Sequence, residues 1–406
     1  MREGRYLSAR QAAGELGVSL ATLYAYVSRG LIRSEAAEKG GRSRRYRTED
    51  VRKLRERKKQ RRDPSKAAEG ALYWGAPVME SGITLISDGG LYYRGRDALT
   101  LAAESTIEEV AALIWTGDPA SFPEIFPSEP TVLSPRYESV RESVAGLTPV
   151  EAYGVLLPLA AVEDLSAYDL RPAAVARTGA RILHLMASVA AKEEIMGGSV
   201  AGTLQRGWAP REPGAEALFG SALVLCADHE LNVSAFAARC VASSEATPYA
   251  AVTGGLAALQ GAKHGGQTEL IEAFLREVEA SGDPRRVIAG RLKRGEGVPG
   301  FGHSLYPGGD PRGAALLRLV AEAHPKSPAV ALSDAVAGEA LDLIGERPTV
   351  DFGLVTLSRA LELPPGGAIA LFAIGRTVGW IGHAIEQYGS DSLIRPRARY
   401  VGEPIG

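Results

Sequence analysis

The chain has 406 residues, 45% apolar and 23% charged, which fits a globular protein of two or three domains with a sizeable core. No stretch approaches the roughly 18 unbroken apolar residues of a membrane span, and Met1–Tyr6 has no apolar signal core, so the expectation is a cytoplasmic protein with no membrane partner. The net charge of −2 conceals a division: residues 1–66 carry 19 Lys/Arg against 8 Asp/Glu, while the remainder is acidic. A basic head on an acidic body points to two modules with different partners.

The head has a pattern as well as a charge. Ser8 and Gln11 form a candidate capping box, with Ala12, Ala13 and Leu16 at helical spacing behind it. After a break at Gly17 and Val18, Ser19 can cap a second helix, Leu20 to Ser28, with Leu23 and Val27 inward. Leu31 to Arg33 are expected to start a strand, Gly40-Gly41 to turn it, and Thr48 to cap a basic helix reaching about Arg62. This order resembles the winged helix-turn-helix of MerR and excisionase-type domains, including an Arg-Tyr-Arg-x-x-Asp ending at Arg45 to Asp50. The resemblance implies a double-stranded DNA partner. Thr22, Tyr24, Tyr26 and Arg29 become candidate groove residues, and Arg42, Arg44, Arg45 and Arg47 candidate phosphate contacts. The module spans 1–62, followed by a polar linker at 63–70.

The body begins near Ala71. Ile83 to Arg94 alternates around Asp88-Gly89-Gly90, predicting a small hairpin. Helical patterns then dominate. Ser105 and Glu108 suggest a capping box for a helix to Trp115, and Thr148-Pro149 opens a helix to about Val162. Ala173 to Lys192 and Ala215 to Leu231 are long alanine-rich apolar runs, so the body is expected to be almost all α. Cys226 and Cys240 fall in helical sequence and read as small buried hydrophobes.

Three of the six histidines sit in conspicuous settings: His229 in Ala-Asp-His-Glu-Leu-Asn, His264 in Lys-His-Gly-Gly, and His303 in Gly-Phe-Gly-His. With Asp351 in Val-Asp-Phe they suit removal of a proton next to a carbonyl: a carboxylate base, and histidines for the oxygen that gains charge. Arg312, Arg376 and Arg395 are candidates for gripping a substrate with several carboxylates. The histidine spacings match no zinc motif, so no metal is expected, and neither a phosphate loop nor a Gly-x-Ser-x-Gly elbow occurs.

In order and spacing these motifs, with Asp310-Pro-Arg312 and the closing Ile394 to Gly402, resemble the citrate synthase family over roughly Gly82 to Gly402. The resemblance implies a mainly α, two-domain helical fold, working as a homodimer. It assigns 71–214 and 325–406 to a large domain and 215–324 to a small one. Asp351 would abstract a methyl proton from acetyl-CoA, His264 would hydrogen-bond the thioester oxygen, and His303 would polarise the oxaloacetate ketone. His229, Arg312 and Arg376 would bind oxaloacetate, and Arg395 would reach the partner's site. The backbone of Val298, Pro299, Gly300, Phe301 and Gly302 would cradle the adenine of CoA. Citrate and CoA would be the products, acetyl-CoA or propionyl-CoA the co-substrate, and no permanent cofactor is implied.

Some positions depart from the commoner family pattern. Ser304-Leu305-Tyr306-Pro307 stands where Arg-Val-Tyr and a basic residue are frequent, and Lys263 and Gln267 replace apolar and alanine neighbours of His264-Gly-Gly. These leave the acyl donor open, including propionyl-CoA giving 2-methylcitrate. Two classes also stay open: a working acyltransferase with a DNA-binding head, or a regulator that uses the enzyme fold to sense acyl-CoA or oxaloacetate.

Overall fold

The structure is a computed structural model. It describes residues 6–28, 31–36, 44–48, 50, 51, 54, 79–126, 134–193, 198–390 and 392–403. Arg29, Arg42, the turn at residues 40–41 and the basic stretch after 54 lie outside the described residues. The chain divides into two compact units, Met1–Glu80 and Ser81–Gly406.

In the first unit, Ser8 caps the helix Ala9–Leu16 in a capping box with Gln11, and Gly17 ends it in the left-handed conformation that glycine adopts without strain. The Ser19 hydroxyl accepts the Thr22 amide at 3.2 Å at the start of helix Leu20–Ser28. Three strands, Tyr6–Ser8, Ser34–Ala36 and Arg44–Arg47, make an antiparallel sheet with Arg44–Arg47 central. Ala12, Ala13, Leu16, Leu23, Ile32, Tyr46 and Val51 form its core. The expected strand at Leu31 to Arg33 starts three residues later. Ile32 is drawn into the core, and the Arg33 amide and side chain go to Asp50 while its carbonyl still accepts the Arg47 amide at 3.1 Å.

In the second unit, Thr84–Ser87 pairs with Gly90–Tyr93 across a two-residue turn in which Asp88 and Gly89 both have positive φ, the geometry a tight hairpin needs. The next cap falls one residue later than expected: Thr106, not Ser105, caps the helix Ile107–Thr116, with Glu109 completing the box. Glu108 is instead buried and accepts the Val200 amide at 2.7 Å. The run expected from Ala215 to Leu231 is helical only to Cys226, because Asp228 to Leu231 turn away as an irregular segment. Cys226 is buried, Cys240 half-buried, and both are free thiols.

The long helix Gly367–Tyr388 runs through the core and packs on Ile107–Thr116, Pro172–Ala191, Ala215–Cys226, Val233–Ala242, Pro248–Leu259 and Val350–Ala360. By length and composition alone it would pass for a membrane span, yet 94% of its apolar window is buried inside the protein. Glycines allow the approach. A Cβ on Gly375 would lie 2.5 Å from the Leu223 carbonyl, and one on Gly379 would lie 2.3 Å from Asp228 Oδ1. Beyond His264 the helices Gln267–Ser281, Pro284–Lys293, Pro311–Ala323, Pro328–Ile344 and Val350–Ala360 pack largely on one another.

Candidate active site

His229 lies in the irregular segment between Ala215–Cys226 and Val233–Ala242, and His264 in the turn before Gln267–Ser281. His303 follows the Val298 to Gly302 loop, and Asp351 occupies the first turn of Val350–Ala360. Arg312 and Arg376 come from the helices Pro311–Ala323 and Gly367–Tyr388.

Side chains from these separate elements meet. His229 Nε2 is 3.0 Å from the Tyr306 hydroxyl, and the His303 ring stands edge-on to His229 at 5.2 Å between centres. The Arg312 guanidinium lies 5.7 Å from the centre of the Tyr306 ring. Asp310 grips Arg312 through two parallel bonds, Nε to Oδ1 at 3.0 Å and Nη2 to Oδ2 at 2.8 Å. The same carboxylate accepts the Val350 amide at 3.1 Å, so one aspartate fixes both the arginine and the start of the helix bearing Asp351. Burial alone would raise the Asp310 carboxyl, but the Arg312 charge and hydrogen bonds hold it below its ordinary value.

Burial keeps all three histidines neutral. It lowers His229 well below the ordinary range, helped by Arg312 and Arg376, brings His264 to about 3, and lowers His303 as well. The Leu305 amide donates to His303 Nδ1 at 3.2 Å, which leaves the neutral ring's proton on Nε2 as a donor. His264 Nε2 is 2.8 Å from Ser234 Oγ, which also receives the Trp380 indole N–H at 3.2 Å. The Ser234 hydroxyl proton goes to Asn232 Oδ1 at 2.8 Å, so Ser234 holds the His264 ring as an acceptor. Asp351 retains some exposure, but the protein packed around it raises its carboxyl to about 6, with Arg312 opposing the rise. A carboxylate poised near neutrality is suited to taking a proton at physiological pH.

Arg376 is buried, donates from Nε to the Cys226 carbonyl at 2.8 Å, and lies 4.8 Å from the centre of the Phe372 ring. Phe372 also meets the His264 ring edge-on at 5.7 Å. The Val298 to Gly302 loop is stitched to the chain leading into Asp351: Gly302 N donates to Arg347 O at 3.0 Å and Thr349 N to Gly300 O at 2.9 Å. Gly300 has φ +84, and a Cβ there would lie 2.9 Å from the Ile271 side chain, so only glycine fits. Arg395 stands apart, exposed on the extended tail.

Four residues of this site were given no role from the sequence. Asp310 and Tyr306 orient Arg312 and His229, Ser234 meets His264, and Asn232 presents a buried Nδ2 with no partner among the described residues. The Asp-x-Arg spacing of Asp310 and Arg312 at a helix start was a signal for the first. The others depend on long-range packing.

In the head the candidate DNA residues are not equivalent. Tyr24 and Arg44 are exposed, whereas Thr22 joins the Ser19 cap and Tyr26 packs partly on the core. Arg45 lies 4.5 Å from the centre of the Tyr6 ring, and it shares Glu35 with Arg47 at 3.5 and 3.9 Å.

The family described as citrate synthase, C-terminal domain, matches residues 72–397, and a helix-turn-helix domain matches residues 6–59. The chain is 31% identical to a citrate synthase of Haloferax volcanii over 364 residues, covering 81% of this chain and 94% of that protein. It is 28% identical to a 2-methylcitrate synthase of Mycobacterium tuberculosis over 333 residues, covering 77% and 84%. The crystal structure of citrate synthase from Thermotoga maritima superposes with a TM-score of 0.69 at 26% identity, covering 81% of this chain and 94% of that one. The fold and site thus define an acyltransferase body joined to a helix-turn-helix head. The chain belongs to the citrate synthase family.

Proposed function

We propose that the body condenses acetyl-CoA with oxaloacetate to give citrate and CoA. The observation that carries this reading is the convergence of Asp351, its carboxyl raised to about 6, with neutral histidines and buried arginines. In this reading Arg312 and Arg376 hold the oxaloacetate carboxylates, with His229 and the Asn232 amide as further donors. Asp351 takes a methyl proton while the neutral His264 ring hydrogen-bonds the oxygen that becomes the enol. The enol carbon bonds to the ketone carbon, and His303 Nε2 gives the new alkoxide its proton. Water then cleaves the thioester of citryl-CoA, releasing citrate and CoA. Gly300 and its neighbours carry the adenine of CoA.

The five-helix layer over 267–360 is the lobe that closes in this reading. The helix Ala215–Cys226, expected from the sequence in the small domain, packs on Gly367–Tyr388 and stays with the fixed lobe. Closure shields the enol and thioester from water. A homodimer fits the exposed Leu147, Val155, Val162, Leu165 and Tyr168 along one stretch of chain, and Arg395 on the tail would reach the partner's site. The head is read as a DNA-binding module, with Arg44 and Tyr24 presented first.

Similarity to a 2-methylcitrate synthase favours one second reading, with propionyl-CoA as donor. The test is release of free CoA thiol from acetyl-CoA or propionyl-CoA with oxaloacetate, with Asp351→Ala as control. Oxaloacetate-dependent release lost in the variant is the expected result, and the faster donor names the acyl group. No release from folded wild-type protein would overturn the enzyme and favour a ligand-sensing regulator.

A further inference from the structure

Behind the histidines lies a second charged cluster that the chemistry above does not use. Asp228, immediately before His229, is wholly buried, as is His383 on the helix Gly367–Tyr388. The Thr84 hydroxyl donates to Asp228 Oδ2 at 2.5 Å, and His383 Nε2 lies 3.2 Å from Oδ1. The other ring nitrogen faces Glu386 Oε2 at 3.8 Å. Glu386 accepts the Gly82 amide at 2.8 Å and Arg239 Nη1 at 3.1 Å, so the pair is braced by the chain leading into the hairpin and by helix Val233–Ala242.

Burying a carboxylate is expensive unless a charge or good hydrogen bonds compensate. Here Asp228 Oδ1 and both His383 nitrogens lack an aligned hydrogen bond among the described residues, although the two groups are within ion-pair distance. The two groups are thus held together by packing from separate elements rather than by an aligned hydrogen bond. The packing is arranged to admit it: a Cβ on Gly379 would lie 2.3 Å from Asp228 Oδ1, and the Gly379 amide holds Ala227 O at 2.9 Å. Asp228 also acts on Arg376, whose pKa burial lowers and the Asp228 charge raises.

We propose that Asp228 and His383 are positioning residues for oxaloacetate: their pairing fixes the segment bearing His229 against the helix that carries Arg376. The proposal rests on the citrate synthase-type reading of that site. It separates the two substrates, because the cluster touches the elements of His229 and Arg376 and not the Val298 to Gly302 loop.

The test is steady-state kinetics of full-length wild type, Asp228→Asn, His383→Gln and the double variant, each checked for native circular dichroism. Asp228→Asn keeps the volume and the Thr84 bond while removing the charge. The expected result is a rise of at least tenfold in KM for oxaloacetate, with KM for the acyl-CoA within twofold and kcat within about fivefold. The double variant should be little worse than Asp228→Asn, since both remove one interaction. An unchanged oxaloacetate KM in folded Asp228→Asn, or an equal rise in both KM values, would overturn the proposal. Absence of wild-type turnover would overturn the enzymatic reading alone. Calorimetric titration with oxaloacetate then decides: weaker binding by Asp228→Asn supports the pairing role, and equal binding, or none by wild type, ends it.

Discussion

In the body the charges that matter are buried beside one another, while in the head they stand near water and pair across a surface. Arg312 and Asp310 are almost wholly enclosed, and Asp351 titrates near neutrality because protein surrounds it. Arg45, Arg47 and Glu35 remain well exposed, and their attraction is screened by salt. Enclosed charge shifts proton affinity and supports chemistry. Exposed charge sets long-range attraction, and the head keeps part of it engaged internally through Glu35.

The largest effect that sharpens this contrast comes from Asp351→Asn. Loss of the base should cost about 10³-fold in kcat, measured as CoA release. The same change should stabilise the body. A carboxyl whose folded pKa of about 6 lies above its ordinary 3.8 binds more protons in the native state between those values. Its contribution is therefore most favourable below the lower value and is lost as pH rises through the upper one, by roughly 3 kcal/mol. Asp351→Asn should raise Tm by a few degrees at pH 8 and by almost nothing at pH 4, read by calorimetry.

Next in size is removal of residues 1–62. It should abolish retention of duplex DNA in a gel-shift assay while leaving kcat within twofold. Equal DNA retention by the truncated chain would move nucleic-acid binding to the body. Third, kcat/KM should fall about tenfold per pH unit on the acid side of a limb near pH 6. The limb belongs to Asp351, since His264 is held to about 3 and stays neutral throughout. The smallest effect is Glu35→Gln, which frees Arg45 and Arg47 and should tighten DNA binding a few-fold at low salt, with a steeper salt dependence. Weaker binding would mean that Glu35 serves chiefly to hold Tyr6 and the sheet.

Local signals carried much of this outcome. The capping box at Ser8, the Thr148-Pro149 helix start, the Asp88-Gly89 turn and the glycine settings of His264 and His303 are short-range features, and the structure contains each of them. Registers were less secure. Ser105 and Thr106 are equally good caps, and burial of Glu108 against Val200, 92 residues away, decided between them. The end of the helix at Cys226 was hidden because Ala227 to Leu231 contain neither glycine nor proline to mark a stop. Asp228 and His383 illustrate the limit most clearly: 155 positions separate them, and neither has a local pattern that names its partner.

The enclosed Asp351 has an evolutionary consequence. At neutral pH its negative charge weakens the fold, so asparagine there would make a sturdier protein of the same shape. Selection for robustness alone would discard the carboxylate within one codon change. Such a change would leave the buried Arg312–Asp310 pair and the helix-turn-helix head standing, so one residue can be exchanged without dismantling the rest of the site.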